Sequence, residues 1–254
     1  IHPQTRSVFG RWCLLVYLAF ATHVLLDSFT AYGTQILWPF NDTPVSWSTV
    51  FIIDPLYTLP LLVGVTCALT MTRKTDRGHR INQVGLVLST VYLLWTVVAK
   101  FNVHDTVKQS LAAQRIDYDK VFTTPAPFNT LLWRTVVTFP GGYYEGYYSL
   151  LDDDAKIEFT PYESNESLLT GIANAWPVQR LKWFSHGFYA VDREGDAVVI
   201  SDLRMGIESN YVFRFKVGEI GNPHAVPREP VALPSNRDPE KLRWLWSRIW
   251  SDAL

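Results

Sequence analysis

His23 and Asp27 stand four residues apart in "ATHVLLDSFTAYGTQILWPF", Ala21–Phe40. Residues with this spacing share one face of a helix. An imidazole nitrogen and a carboxylate oxygen on one face are good ligands for zinc and related divalent ions, and together make half of a metal site. The setting sharpens the question, because an ionisable side chain in an apolar helix is costly and faces a polar interior or a partner. A structural hydrogen-bonded pair is the plainer reading. A third acid, Asp54, opens "FIIDPLYTLP". The Asp-Pro step suits a helix start, with the carboxylate as cap and Pro55 in the first turn. The same carboxylate could complete a metal shell or act as a base. Thr30, Tyr32 and Thr34, in "TAYGTQ", offer hydroxyls that could orient such ligands. They equally suit a turn and an interface around Gly33.

These residues are placed by apolar stretches that read as membrane spans. A spanning helix needs about 20 apolar residues. The candidates are Trp12–Leu26, which reaches length only by extending toward Tyr32, then Val50–Met71 and Val84–Phe101. None shows a polar stripe of helical period, which argues against core helices of a soluble bundle. Pro60 falls inside the second, where a neighbouring helix can satisfy the carbonyl it frees. Arg73, Lys74, Arg77 and Arg80 crowd the loop between the second and third stretches, whereas Asp27–Thr49 holds no lysine or arginine. The positive-inside rule puts the basic loop in the cytoplasm, in agreement with Arg6 and Arg11. His23, Asp27, Asp54 and everything after Phe101 then share the outer side.

Other classes find little support. Lys plus Arg is 23 and Asp plus Glu 24, so nothing marks a nucleic-acid partner. The two cysteines, Cys13 and Cys67, read as small buried hydrophobes. No G-x-S-x-G, phosphate-cradling glycine loop or C-x-x-C occurs, so a serine or cysteine nucleophile is unsupported. His79 lies in the basic loop, and His104 beside Asp105 on the outer side is a minor candidate for ligand or proton carrier. His186 and His224 read as packing or surface residues. "DDDAKIE", Asp152–Glu158, lacks calcium-hand spacing and reads as a solvated turn. Arg134 and Arg204 suit either an anionic substrate group or structural ion pairs.

"HVLLDSFTAYGTQILWPF" followed by "FIIDPLYTLPLL" resembles the YdjM-like family of bacterial inner-membrane, metal-dependent hydrolases. "TTPAPFNTLLWR", "GYYEGYYSLLD", "LKWFSHGFYAV" and "DLRMG" resemble the soluble tail of its longer members, so the likeness runs over nearly the whole chain. The resemblance implies a metal-binding helical bundle, distantly like the zinc-dependent phospholipase C and single-strand nuclease superfamily. It also implies metal-ligand roles for His23 and Asp27, and a site role for Asp54. Such proteins carry upstream acidic and H-R-x-x-T-H-S-like segments with further ligands. This sequence has neither, and His2 is no substitute. Because the chain opens at Ile1 rather than Met, an upstream portion is expected.

The fold expected is α+β: a transmembrane helical bundle with three spans, near 12–30, 50–71 and 84–101, within residues 1–118. A mainly antiparallel, β-rich periplasmic domain follows over 119–254. Val103–Tyr118 continues the third helix. "TLLWRTVVTF", "GGYYEGYYSLL", "KIEFTPY" and "YVFRFKVGE" read as strands, and "GFYAVDREGDAVVISDL" as a hairpin turning at Glu194–Gly195–Asp196. "NESLLTGIANAWPVQRLKWF" reads as one or two short helices. Asp238 and Pro239 start a final amphipathic helix, docked on its own domain or lying in the membrane interface. The function expected is a multi-pass inner-membrane hydrolase in which a zinc-like ion activates water at the periplasmic face. Its substrate would be a phosphoester or lipid-derived molecule. The alternative is a non-enzymatic, membrane-anchored binding or assembly protein.

Overall fold

An apolar helix with no protein around it needs lipid, and the first helix is of that kind. In the computed structural model, which describes residues 8–71, 75–235 and 238–251, α1 runs Phe9–Asp27 and buries none of its residues. Cys13 lies on this exposed surface and Cys67 is half-buried; both are free. The expectation that protein buries them fails, because Cys13 sits on the exposed surface of an apolar helix.

Helix α2 spans Pro55–Met71 and α3 spans Arg77–Ala113. Among the described residues, two helices are long and apolar enough to cross a membrane, α1 and α3; α2, at 17 residues, is shorter. Three spans were expected, and these two are the candidates. Helices α2 and α3 form a tight antiparallel pair because small residues line their seam. A methyl group at Gly85 would collide with the Pro60 carbonyl oxygen, and one at Gly64 would lie 3.0 Å from Asn82 Cα. Ser89 Oγ donates to the Tyr57 carbonyl at 2.8 Å, in the turn that Pro60 disturbs. Arg6, Arg73, Lys74 and His2, used in reading the sequence, lie outside the described residues.

Helix α3 has 37 residues, about 55 Å at 1.5 Å each. That length exceeds a hydrocarbon core of roughly 30 Å. Its far half carries Ala99, Val103, Val107 and Leu111, spaced four apart, and this row packs on Trp133, Val137 and Ile157. The first sheet, in order β1–β2–β3–β4, is antiparallel throughout: Lys120–Pro125, Leu132–Phe139, Gly142–Ser149 and Phe159–Glu163. Strand β2 is buried on both faces. Trp133 and Val137 meet α3, whereas Val136, on the opposite face, joins Tyr143 against Phe188, Ala190, Leu203 and Tyr211. Each fully buried side chain of this size contributes about 1.5–3 kcal/mol.

The second sheet has the order β10–β9–β6–β5, with β5 Tyr189–Glu194, β6 Ala197–Asp202, β9 Arg214–Glu219 and β10 Val226–Ala232. A small hairpin, β7 Gly206–Ile207 with β8 Asn210–Tyr211, projects from it. The outer face of this sheet is covered by a 3₁₀ turn, Glu166–Leu169, and by α4, Trp176–Phe184, through Leu169, Ile172 and Val178. The layers are thus α3, sheet, sheet, α4. The Glu194–Ala197 hairpin turns where the sequence indicates. Strand β10 was not anticipated. Pro227 and Pro230 disqualify it as a central strand, and it lies fully exposed at an edge with a register shift between Pro227 and Val231.

Helix α5 spans Pro239–Arg248; the Asp238 carboxylate accepts from Glu240 N–H at 2.9 Å, as the cap reading requires. Leu245 and Ile249 dock on Ala126 and Leu132, leaving Leu242, Trp246 and Trp250 exposed. Arg248 forms a two-pronged pair with Asp152 at 2.7 and 2.8 Å. The reading of Asp152–Glu158 as a solvated turn therefore needs correction at its first residue, whose side chain is 3% exposed.

Candidate functional site

The last turn of α1 brings the expected pair together. His23 Nε2 lies 3.5 Å from Asp27 Oδ2, with side chains 71% and 43% exposed. Two donors bound to one tetrahedral zinc at roughly 2.0–2.1 Å would be about 3.3 Å apart. The separation therefore suits two ligands of a single ion, and the exposure leaves its remaining positions accessible. The pair fits half of a metal site. Among the described residues no group of three or more His, Cys, Asp or Glu side chains is assembled for a metal.

Asp54 is 2% exposed and sits at the start of α2. Its Oδ1 accepts from Leu56 N–H at 2.9 Å and Tyr57 N–H at 3.4 Å, the geometry of a helix cap. Its Oδ2 accepts from the Tyr92 hydroxyl at 2.7 Å, and Tyr92 in turn meets Thr130 Oγ1 at 3.1 Å. The carboxylate thereby ties α2, α3 and the β1–β2 loop into one knot.

The segment after Asp27 folds back on itself rather than trailing along the membrane. Thr30 Oγ1 donates to the Asp27 carbonyl at 2.7 Å, and Thr34 pairs its backbone with Val45. Gly33, at φ +66°, sits so close to the Val45 carbonyl that any side chain would collide with it. Thr30 and Thr34 thus shape the turn. Tyr32 leaves the turn altogether. Its ring stacks on Phe184 at 5.5 Å, meets Phe213 edge-on at 5.4 Å and lies 4.8 Å from the Arg204 guanidinium. Its buried hydroxyl has no hydrogen-bond partner among the described residues, and burial, then Asp202, raises its pKa. The ring plugs the membrane-side loop into the β-rich part.

Around this plug the segments singled out in the sequence converge. Thr124–Pro127 and Arg134, Tyr147, and Arg204–Gly206 come from three of them. With Ala31 and Val50–Ile52 from the loop and Leu242 and Leu245 of α5, they line a cavity of about 280 Å³. Most of that lining is apolar. Its two arginines are already engaged. Arg134 pairs with Glu145, both buried, and donates to the Leu203 carbonyl at 2.7 Å; Arg204 pairs with Asp202 at 2.7 Å. Of the two uses expected for these arginines, the structure shows the ion pairs. Tyr147 OH donates to Glu145 at 2.6 Å and Tyr211 OH to Tyr143 OH at 3.0 Å, extending the network from the first sheet to the β7–β8 hairpin.

The comparison with known families now bears on a defined geometry. Residues 2–103 match the YdjM inner membrane protein family. The YdjM match takes in His23, Asp27, Asp54 and the apolar helices up to Val103, and with α1 and α3 it makes the chain a membrane protein. The sequence likeness was expected over nearly the whole chain; the match covers its first part, and the cavity's β-strand walls lie beyond it. No curated protein and no solved structure matches.

The remaining histidines stay apart from the pair in their surroundings. His79 and His224 are exposed. His104 is half-buried, and burial, then Lys108, lowers its pKa. His186 adopts φ +55° beside the cavity's Arg204–Asp202 pair; its Nε2 is buried without a partner among the described residues, and burial, then Arg204, lowers its pKa. Sequence reasoning overlooked the cavity itself. The signal was present in the positions of Arg134 and Arg204 within quoted segments, but nothing local says that those segments meet.

Proposed function

We propose that this protein is a membrane-bound, metal-dependent hydrolase, with a divalent ion of the zinc type held in part by His23 and Asp27. The observation that carries the reading is the 3.5 Å separation of two ligand-type atoms at one end of an otherwise apolar helix, inside the segment that matches the YdjM family. When bound, such an ion supplies the Lewis acidity that lets water ionise near neutral pH. His23 would contribute an imidazole nitrogen and Asp27 a carboxylate oxygen, both from one helix face. Thr30 holds the Asp27 carbonyl and so fixes the turn that presents the carboxylate. Asp54 enters as a third acid, serving as base. Its Oδ1 caps α2 and its Oδ2 accepts from the Tyr92 hydroxyl, and Oδ2 keeps a further lone pair. A phosphoester or lipid-derived substrate suits a site at the end of a membrane helix. In this reading α2 also crosses the bilayer beside α3, and the chain is a multi-pass inner-membrane protein. Arg77 and Arg80 then lie on the cytoplasmic side and the β-rich part is periplasmic.

The test is metal content of the full chain purified in detergent, measured by mass spectrometry for the parent, His23→Ala and Asp27→Ala. Hydrolysis of a chromogenic phosphodiester is followed in parallel. Stoichiometric metal in the parent and its loss in both variants is expected. Metal content unchanged in both variants removes the pair from the site. A second reading, a membrane-anchored binding protein, draws on the cavity. A stable co-purifying molecule with no metal in the intact protein would favour it.

A further inference from the structure

We propose that the cavity between the membrane-side loop and the β-rich part holds one acyl chain of a bilayer phospholipid. The inference needs neither metal nor hydrolysis and rests on the proposed reading only in that α2 crosses the bilayer. Three observations lead to it. First, the cavity is walled mainly by hydrocarbon, with Val50, Ile52, Ala126, Ile207, Val212 and Leu245 among its residues. An apolar hole of this kind offers water few hydrogen bonds and is better filled by an apolar group.

Second, its cations ask for no anion. The Arg134 and Arg204 guanidinium groups are neutralised by Glu145 and Asp202, and both pairs are nearly fully buried. The interior is therefore electrically balanced, and an uncharged chain enters without leaving a charge unpaired. Lys241, also at the wall, rests on the Glu208 backbone carbonyl. Its ammonium group suits the phosphate that a chain brings to the entrance.

Third, the cavity opens beside the start of the apolar helix α2, which crosses the bilayer in the topology proposed above. Ile52 is 53% exposed and lies two residues before Asp54, the cap of the apolar helix α2; Leu242, on the opposite wall, is 51% exposed. Phe51 packs edge-on with Phe128 at 5.6 Å, joining the loop to the β1–β2 turn along the same rim. A lipid lying against α2 thus has an apolar opening directly above its headgroup region. A volume of about 280 Å³ lies just under the usual range of small-molecule pockets, about 300–1,000 Å³, and suits a stretch of one chain rather than a whole lipid.

The test uses the full chain in lipid nanodiscs containing phosphatidylglycerol with a photoreactive diazirine near the end of one acyl chain, with EDTA present. After illumination, labelled peptides are mapped by mass spectrometry. The expected result is label on the peptides that carry Ala126, Ile207 or Leu245, alongside the general labelling of α1. Filling the cavity by Ala126→Phe or Val212→Trp should cut the cavity label at least several-fold and leave the α1 label unchanged. Val212 is 40% exposed, so its substitution tests the cavity even where Ala126→Phe unfolds the protein. Label confined to α1–α3, or cavity label that persists undiminished in folded Val212→Trp protein, would overturn the proposal. Because EDTA strips any metal, loss of metal content and loss of lipid label are read separately.

Discussion

Replacing Glu145 with glutamine should destabilise the β-rich part more than any surface change of the same size. Arg134 and Glu145 are 3% and 4% exposed, and their pairing is diagonal across the β2–β3 ladder, where Arg134 faces Tyr147 directly. The amide keeps the shape of the carboxylate and one oxygen acceptor but removes the charge, leaving a buried guanidinium with neutral acceptors alone: that amide oxygen, the Leu203 carbonyl at 2.7 Å and the Tyr211 hydroxyl at 3.4 Å. Breaking a buried pair by removing one partner costs about 3–5 kcal/mol. At about 2–4 °C per kcal/mol for a chain of this size, the expected fall in Tm is roughly 6–20 °C. Thermal unfolding of detergent-purified protein, followed by near-ultraviolet circular dichroism, reads it. The double variant Arg134→Met with Glu145→Leu should recover part of the loss, since no lone charge then remains. It will not recover all of it, because the Leu203 carbonyl and the Tyr147 hydroxyl lose partners at about 1–3 kcal/mol each. A Glu145→Gln protein that melts within about 2 °C of the parent would refute the claim that this pair is buried and unscreened.

Gly85→Leu should loosen the α2–α3 hairpin by about 1–3 kcal/mol through collision with the Pro60 carbonyl. Gly10→Ala, which meets nothing within 4 Å among the described residues, should be neutral or slightly stabilising; equal Tm losses in the two would contradict the seam. Asp54→Ala should cost about 1–2 kcal/mol from the lost cap, more if Tyr92 finds no new acceptor, and should lower Tm in detergent. An unaltered Tm would mean the cap is idle. Burial holds the His186 pKa in the folded chain below its unfolded value of about 6.5. Its contribution is therefore fully present above that value and is lost as pH falls through it toward the folded pKa. Tm should drop on acidification from about pH 7.5 to 5, and His186→Asn, which tolerates the positive φ, should flatten the drop. An identical acid-side loss in the variant would assign it to other groups.

Local chemistry was legible where it acts locally. The final helix starts at Asp238 because a carboxylate before a proline satisfies free N–H groups, and the hairpin turns at Gly195 because the chain there needs φ +59°. The continuation of α3 beyond the apolar stretch was legible from its helical pattern. Long-range facts were not. Tyr32 looks like a turn residue, and its seat between Phe184 and Phe213 depends on contacts more than 150 positions away. Asp202 and Arg204, two residues apart, carried a faint local signal, whereas Arg134 finds Glu145 only through strand register. The His23–Asp27 contact follows from helical spacing. What else approaches that pair is a tertiary matter, which spacing does not address.

Helix α3 has one more consequence. It runs without interruption from Arg77 to Ala113, and its far half is clamped beneath β2 by Ala99, Val103, Val107 and Leu111. A spanning helix leans to match the thickness of the membrane around it. Here the lean cannot be absorbed at a hinge, so the sheets must swing with the shaft like the head of a lever. The angle at which the folded head stands over the lipid surface is therefore set by the bilayer itself, and a thicker or thinner membrane would raise or lower one rim of the head relative to the other.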